Sequence, residues 1–135
     1  MSTKKKGKIA ASLVWFEIPA DDLDRAKTFY SKLFGWKIAP FPGMTTPDGH
    51  NYLHIDTGGP DASPDGGMMK RMHEDQPITA YISVPSVAKA AAKVKQLGGK
   101  ICVEKTAVPQ MGYFSVCFDT EGNIFALWER NEKAK

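Results

Sequence analysis

An internal repeat restricts this chain more than any other feature. Shifted by 64 residues against itself, the 135-residue sequence lays Trp15–Ala26 over Thr79–Ala90. In that register Ile18 falls on Ile82, Leu23 on Val87, Arg25 on Lys89, Ala26 on Ala90, Leu33 on Leu97 and Gly35 on Gly99. The matches sit where local structure is decided, so two copies of one supersecondary unit is the economical reading. Each copy opens with strand formers, at 13–18 and at 78–84. A helix follows, N-capped by Asp21 or Asp22 in the first copy and by Ser86 in the second. Leu23, Ala26, Tyr30, Leu33 and Phe34 recur at a helical period, as do Val87, Ala90, Ala91, Val94 and Leu97. Gly35 ends one helix and Gly98 with Gly99 the other, where positive φ is wanted. Three strands then follow in each copy, near 36–40, 50–56 and 66–71, and near 100–105, 112–118 and 123–129. Clusters of Pro, Gly and Asp separate them. The pattern predicts an α+β chain of two tandem βαβββ modules, at 9–73 and 77–130. A basic tail at 1–8 and a polar tail at 131–135 flank them.

Composition removes several function classes. The formal charge is +3, and Lys4, Lys5, Lys6 and Lys8 carry more than that excess; without them the remainder is −1. A nucleic-acid surface needs Lys and Arg clustered on a folded face, so no nucleic acid is expected as partner. No apolar run is long enough to span a bilayer, and no membrane partner is expected. Cys102 and Cys117 form no CxxC pattern, which leaves neither a zinc ribbon nor a disulfide scaffold. With no apolar stretch after the first charges to make a signal peptide, cytoplasmic residence is the expectation.

Alternation divides each strand into two sets of side chains. Val14, Phe16 and Ile18 oppose Trp15 and Glu17; Leu53 and Ile55 oppose Tyr52, His54 and Asp56. In the second copy Ile78, Ala80, Ile82 and Val84 oppose Thr79, Tyr81 and Ser83. Phe114, Val116 and Phe118 oppose Tyr113, Ser115 and Cys117. One set is apolar and is expected under the helices. The other is aromatic with hydroxyls and a few ionisable groups, the composition of a ligand surface.

The segment Val14–Trp36, the run Gly66–Arg71 and the closing segment Gly112–Glu129, with its Asp119-x-x-Gly122-Asn123, resemble the vicinal oxygen chelate superfamily. That group contains glyoxalase I, bleomycin- and fosfomycin-resistance proteins and extradiol dioxygenases. The resemblance covers about residues 9–130 and implies a fold in which the mixed sheets of the two modules form a shared cleft. It also implies a homodimer. The superfamily's metal enzymes hold a divalent ion with His and Glu at equivalent places in both modules. Those places fall here on Trp15, Thr79, Ala126 and Met68 or Met69. None is a His or a carboxylate, and indole, methyl and thioether groups bind such ions poorly. No cofactor and no metal at these positions is expected.

Glu17 and His54 remain for acid–base chemistry. Trp15, Tyr52 and Tyr81 around Glu17 are surroundings that raise a carboxyl pKa by desolvation; the other role for Glu17 is to accept hydrogen bonds from tyrosines. His50 and His73 stand in turn-like contexts and are expected to be exposed. Cys117 reads as a filler or a thiol on the cleft face. The expected function is a glyoxalase/bleomycin-resistance-like protein that binds a small molecule. Its ligand-binding residues are Trp15, Tyr52, Thr79, Tyr81, Tyr113, Ser115, Cys117, Ala126 and Trp128. The first alternative is a lyase or isomerase using Glu17 and His54 as acid and base, with or without a divalent metal at non-standard positions. The second is a protein-interaction module.

Overall fold

The computed structural model describes residues 11–60 and 63–135. The basic run at 1–8 lies outside them. The chain divides into two compact units, Val14–Thr79 and Ala80–Lys135, with the described residues 11–13 joining the latter.

The first unit carries β1 (Leu13–Ala20), α1 (Leu23–Phe34), β2 (Lys37–Thr45), β3 (Asn51–Asp56) and β4 (Asp65–Lys70). Its strands run in the order β2-β3-β4-β1. The β1–β4 pair is parallel, and β4–β3 and β3–β2 are antiparallel. Asp22 is the N-cap of α1 and accepts the Arg25 N–H at 3.0 Å, and Gly35 closes the helix at φ 75°. Ile18, Ala20, Ile38, Leu53, Ile55 and Met68 form the core, covered by Phe16, Leu23, Ala26, Tyr30 and Trp36. The alternation therefore separates core from open face correctly on β1 and β3.

The second unit repeats the plan with β5 (Thr79–Ser83), α2 (Val87–Gln96), β6 (Lys100–Val108), β7 (Gly112–Phe118) and β8 (Ile124–Arg130), in the order β5-β8-β7-β6. The β5–β8 pair is parallel, and β8–β7 and β7–β6 are antiparallel. Ser86 caps α2, 64 residues after the cap of α1, and Gly98 follows its end at φ 97°. The Glu129 carboxylate accepts the Val87 N–H at 2.9 Å, a charge-assisted cap that no local pattern announces. Gln110 N–H donates to the Ala134 carbonyl at 2.9 Å, and this brings the end of the chain back to the β6–β7 turn.

Two sequence expectations need correction. Leu33, Phe34 and Leu97 follow the helical period, yet they are more than half exposed at the ends of their helices. Phe34 still meets Tyr30 and Trp36, and Leu97 is the C-cap beyond α2, so periodicity at a helix end does not imply burial. The faces of β7 are also reversed. Cys117 and Leu127 pack with Val87 in the core of the second unit, with Tyr113, Ile101 and Phe125 against them. Tyr113, Ser115 and Cys117 thus lie on the helix-covered side, while Phe114 and Val116 pair with Trp128 and Ala126 on the other. Among the described residues no helix is long and apolar enough to cross a membrane.

Candidate functional site

On the open face of the first unit four strands bring together Trp15 and Glu17 from β1, Tyr52 and His54 from β3, Asp65 from β4 and Phe41 from β2. Trp15 Nε1–H donates to Tyr52 Oη at 3.0 Å, and the Tyr52 hydroxyl donates to Glu17 Oε2 at 2.7 Å. The donors run in one direction and end on a carboxylate, the arrangement in which a hydrogen bond is strongest. His54 stacks on Trp15 with centroids 5.9 Å apart and an interplanar angle of 21°. Its Nε2 lies 3.3 Å from Asp65 Oδ2. Asp65 Oδ1 in turn accepts the Thr57 N–H at 3.2 Å and the Thr57 hydroxyl at 3.4 Å.

Backbone register explains why these groups converge. Gly67 is the partner of Glu17 on one side and of His54 on the other. Two strand spacings, about 10 Å, therefore separate the two ionisable residues. The Tyr52 ring fills the gap between them. A Cβ on Gly67 would come within 3.0 Å of the Tyr52 hydroxyl and ring, so this close approach needs glycine. Glu17 and His54 belong to one face without touching, and any ligand bridging them must pass over Tyr52.

Three members of this group escape a sequence reading. Asp65 precedes the stretch expected for the fourth strand, and only the strand's true start puts it in alternation with Gly67. Gly67 stands in a Gly-Gly run that suggests a turn as readily as a strand. Phe41 lies in a Pro- and Gly-rich stretch that reads as loop, yet β2 continues through it.

The other expected site residues separate. Thr79, which opens β5, is buried, and its hydroxyl donates to the Pro77 carbonyl at 3.3 Å. In the second unit Tyr81 and Ala126 are register partners, as are Ser83 and Trp128, on the face away from α2. The Trp128 ring covers Gly112. Tyr113 carries Lys105 Nζ over its ring at 4.2 Å. Ser115 is fully buried and donates to the Val103 carbonyl at 2.7 Å. Burial pushes the Cys117 thiol pKa up, which removes the thiolate that nucleophilic work needs. His50 is half-exposed beside Asp48 at 3.1 Å, and His73 is exposed.

The divalent ion that the fold family implies does not suit these residues. At the family's positions stand an indole, a threonine hydroxyl, a methyl group and a thioether, and the indole N–H is already committed to Tyr52. Among the described residues no three His, Cys, Asp or Glu side chains gather in a way that could hold a metal.

Two βαβββ units, each with its first and last strands paired parallel and its other neighbours antiparallel, define the class of protein, a two-module α+β fold. Similarity to known proteins agrees with it. A family described as bleomycin resistance protein-like N-terminal matches residues 12–46. A glyoxylase-like domain-containing protein of Didymella fabae is 33% identical over 120 residues, covering 87% of this chain and 92% of that protein. Among solved structures, the hypothetical protein BH1468 of Bacillus halodurans superposes with a TM-score of 0.68 at 15% identity, covering 94% and 99% of the two chains. A glyoxalase/bleomycin resistance protein/dioxygenase superfamily member from Vibrio splendidus gives 0.60 at 12% identity, covering 90% and 100%. The chain belongs to the glyoxalase/bleomycin-resistance-like proteins of the vicinal oxygen chelate superfamily.

Proposed function

We propose that this protein binds a small planar molecule on the aromatic face of its first unit, without the divalent metal usual in its superfamily. The observation that carries this reading is the Trp15–Tyr52–Glu17 hydrogen-bond chain. It fixes two large rings and a carboxylate in one orientation before any ligand arrives, and such preorganisation lowers the entropy cost of binding. Trp15 and Tyr52 supply flat apolar area, while Glu17 and His54 supply polar contacts at either side of it. The proposal includes a homodimer, as the family membership suggests, and residence in the cytoplasm.

Native mass spectrometry of protein from its source cells tests ligand, metal and subunit number together. The expected spectrum has a dimer with a retained small molecule and no divalent ion. Stoichiometric zinc or nickel overturns the metal-free part, and a ligand-free spectrum with no gain on adding aromatic compounds overturns the binding part. A lyase or isomerase reading has its own support in the placement of Glu17 and His54 on either side of Gly67. A substrate lying across Tyr52 would meet a carboxylate at one end and an imidazole at the other. Turnover abolished in both Glu17→Gln and His54→Asn, with ligand binding kept, would favour that reading over binding alone.

A further inference from the structure

The ring of Phe41 stands edge-on to three members of the site at once. It meets Trp15 at 6.4 Å and 73°, Tyr52 at 6.4 Å and 73°, and His54 at 5.8 Å and 86°. Edge-to-face contact is the favoured geometry for aromatic pairs, so each contact helps to hold the ring. The backbone beneath it is restricted as well. Pro40 and Pro42 flank Phe41, each with a fixed φ and no N–H to give, and Gly43 turns the chain at φ 74°. The pairing of β2 with β3 breaks between Pro40 and Thr45, where this stretch departs from the ladder on the edge strand. Edge-strand prolines and a bulge are a built arrangement that aims one side chain.

Resting on the binding reading above, we propose that Phe41 is the specificity-determining residue of this site and limits its ligand to a single flat ring. Trp15, Tyr52 and His54 border the phenyl group of Phe41 on three sides, and on this proposal that group occupies the place a second ligand ring would take. Shortening residue 41 opens a ring-sized gap bounded on three sides by aromatic groups, and a gap of that kind binds an aromatic guest. Phe41 is half-buried, so the gap is reachable from solvent. The ligand class is therefore the one-ring aromatic or unsaturated compound; fused two-ring compounds are excluded by this side chain.

Phenol and 2-naphthol serve as probes, with binding read from the Trp15 indole N–H resonance, assigned by its loss in Trp15→Phe. Wild type is expected to bind phenol more tightly than 2-naphthol. Phe41→Ala should bind 2-naphthol about tenfold more tightly than wild type does and leave phenol within about threefold. Phe41→Leu, which keeps an apolar side chain on β2, should give an intermediate gain and guards against a folding defect in the alanine variant. If Phe41→Ala and Phe41→Leu weaken both probes alike, Phe41 is a wall and the ring limit is wrong, while the binding reading stands. If neither probe moves the Trp15 resonance in any folded protein, the binding reading falls and the ring limit with it.

Discussion

Gly67→Ala is the sharpest perturbation of the site, because the three atoms nearest the added Cβ all belong to Tyr52. The added Cβ would overlap the hydroxyl and ring of Tyr52, with no backbone among its nearest atoms. Tyr52 can swing away, but doing so breaks the bond to Glu17 Oε2 and the bond from Trp15 Nε1. A bond to a charged group and a neutral one together contribute about 2–3 kcal/mol, nearer the lower figure where the groups are only partly buried. Alanine also has a less flexible unfolded chain than glycine, which returns about 0.5 kcal/mol. The net expectation is a loss of about 1.5 kcal/mol in urea unfolding, with the Trp15 indole N–H resonance shifted. The cause is isolated by repeating the change in a Tyr52→Ala background, where nothing stands over residue 67. There Gly67→Ala should cost nothing or stabilise slightly. Gly66→Ala is the contrasting case, since its Cβ would strike the Phe16 carbonyl at 2.6 Å, and backbone cannot swing aside. Equal costs for Gly67→Ala in both backgrounds, within about 0.4 kcal/mol, would refute the reasoning that Tyr52 is what requires this glycine.

Two further outcomes follow from the electrostatics. The Asp119 carboxyl is held below its ordinary value by the backbone N–H of Asn123, the Asn123 side chain and the Glu121 N–H, and Asp48 by the Thr46 hydroxyl and His50. A depressed folded value gives stability that is whole above the unfolded pKa and is lost as pH falls through the folded one, so Asp119→Asn should lower Tm at pH 6 and merge with wild type towards about pH 2; a gap that persists unchanged in acid would contradict this. Cys102 is exposed and Cys117 fully buried, so a disulfide reagent should find one fast thiol in the native protein and the second only on unfolding. Loss of the fast phase in Cys102→Ser checks the assignment, and a fast phase that survives it would reverse it.

Asp119 also shows what a motif means physically. Asp119-x-x-Gly122-Asn123 is legible as a family signature, yet in the fold it is a turn. The Asp119 carboxylate gathers three N–H groups, and Gly122 takes φ 82°, closing β7 onto β8. The motif marks the superfamily because the hairpin needs it, and it says nothing about a substrate.

The repeat, the order of elements, a first cap at Asp21 or Asp22, a second at Ser86 and the division of each strand into two faces were determined by sequence alone; the fold chose Asp22. Each rests on interactions a few residues apart or on the period-2 geometry of a strand. Which face turns inward is a different question, because alternation is symmetric between the two sides. On β1 and β3 the apolar set lies under α1 and the aromatic set is open. On β7 the more apolar Phe114 and Val116 face away from the helix, while Ser115 and Cys117 go beneath α2. The register of β7 against Leu127 and Phe125 on β8 decides that, and it is not a local property. The same holds for the site. Trp15, Glu17, Tyr52 and His54 can be assigned to one face from their spacing. Tertiary pairing alone set Gly67 between Glu17 and His54, laid Tyr52 over it, and brought Phe41 from an edge strand into contact with three of the four.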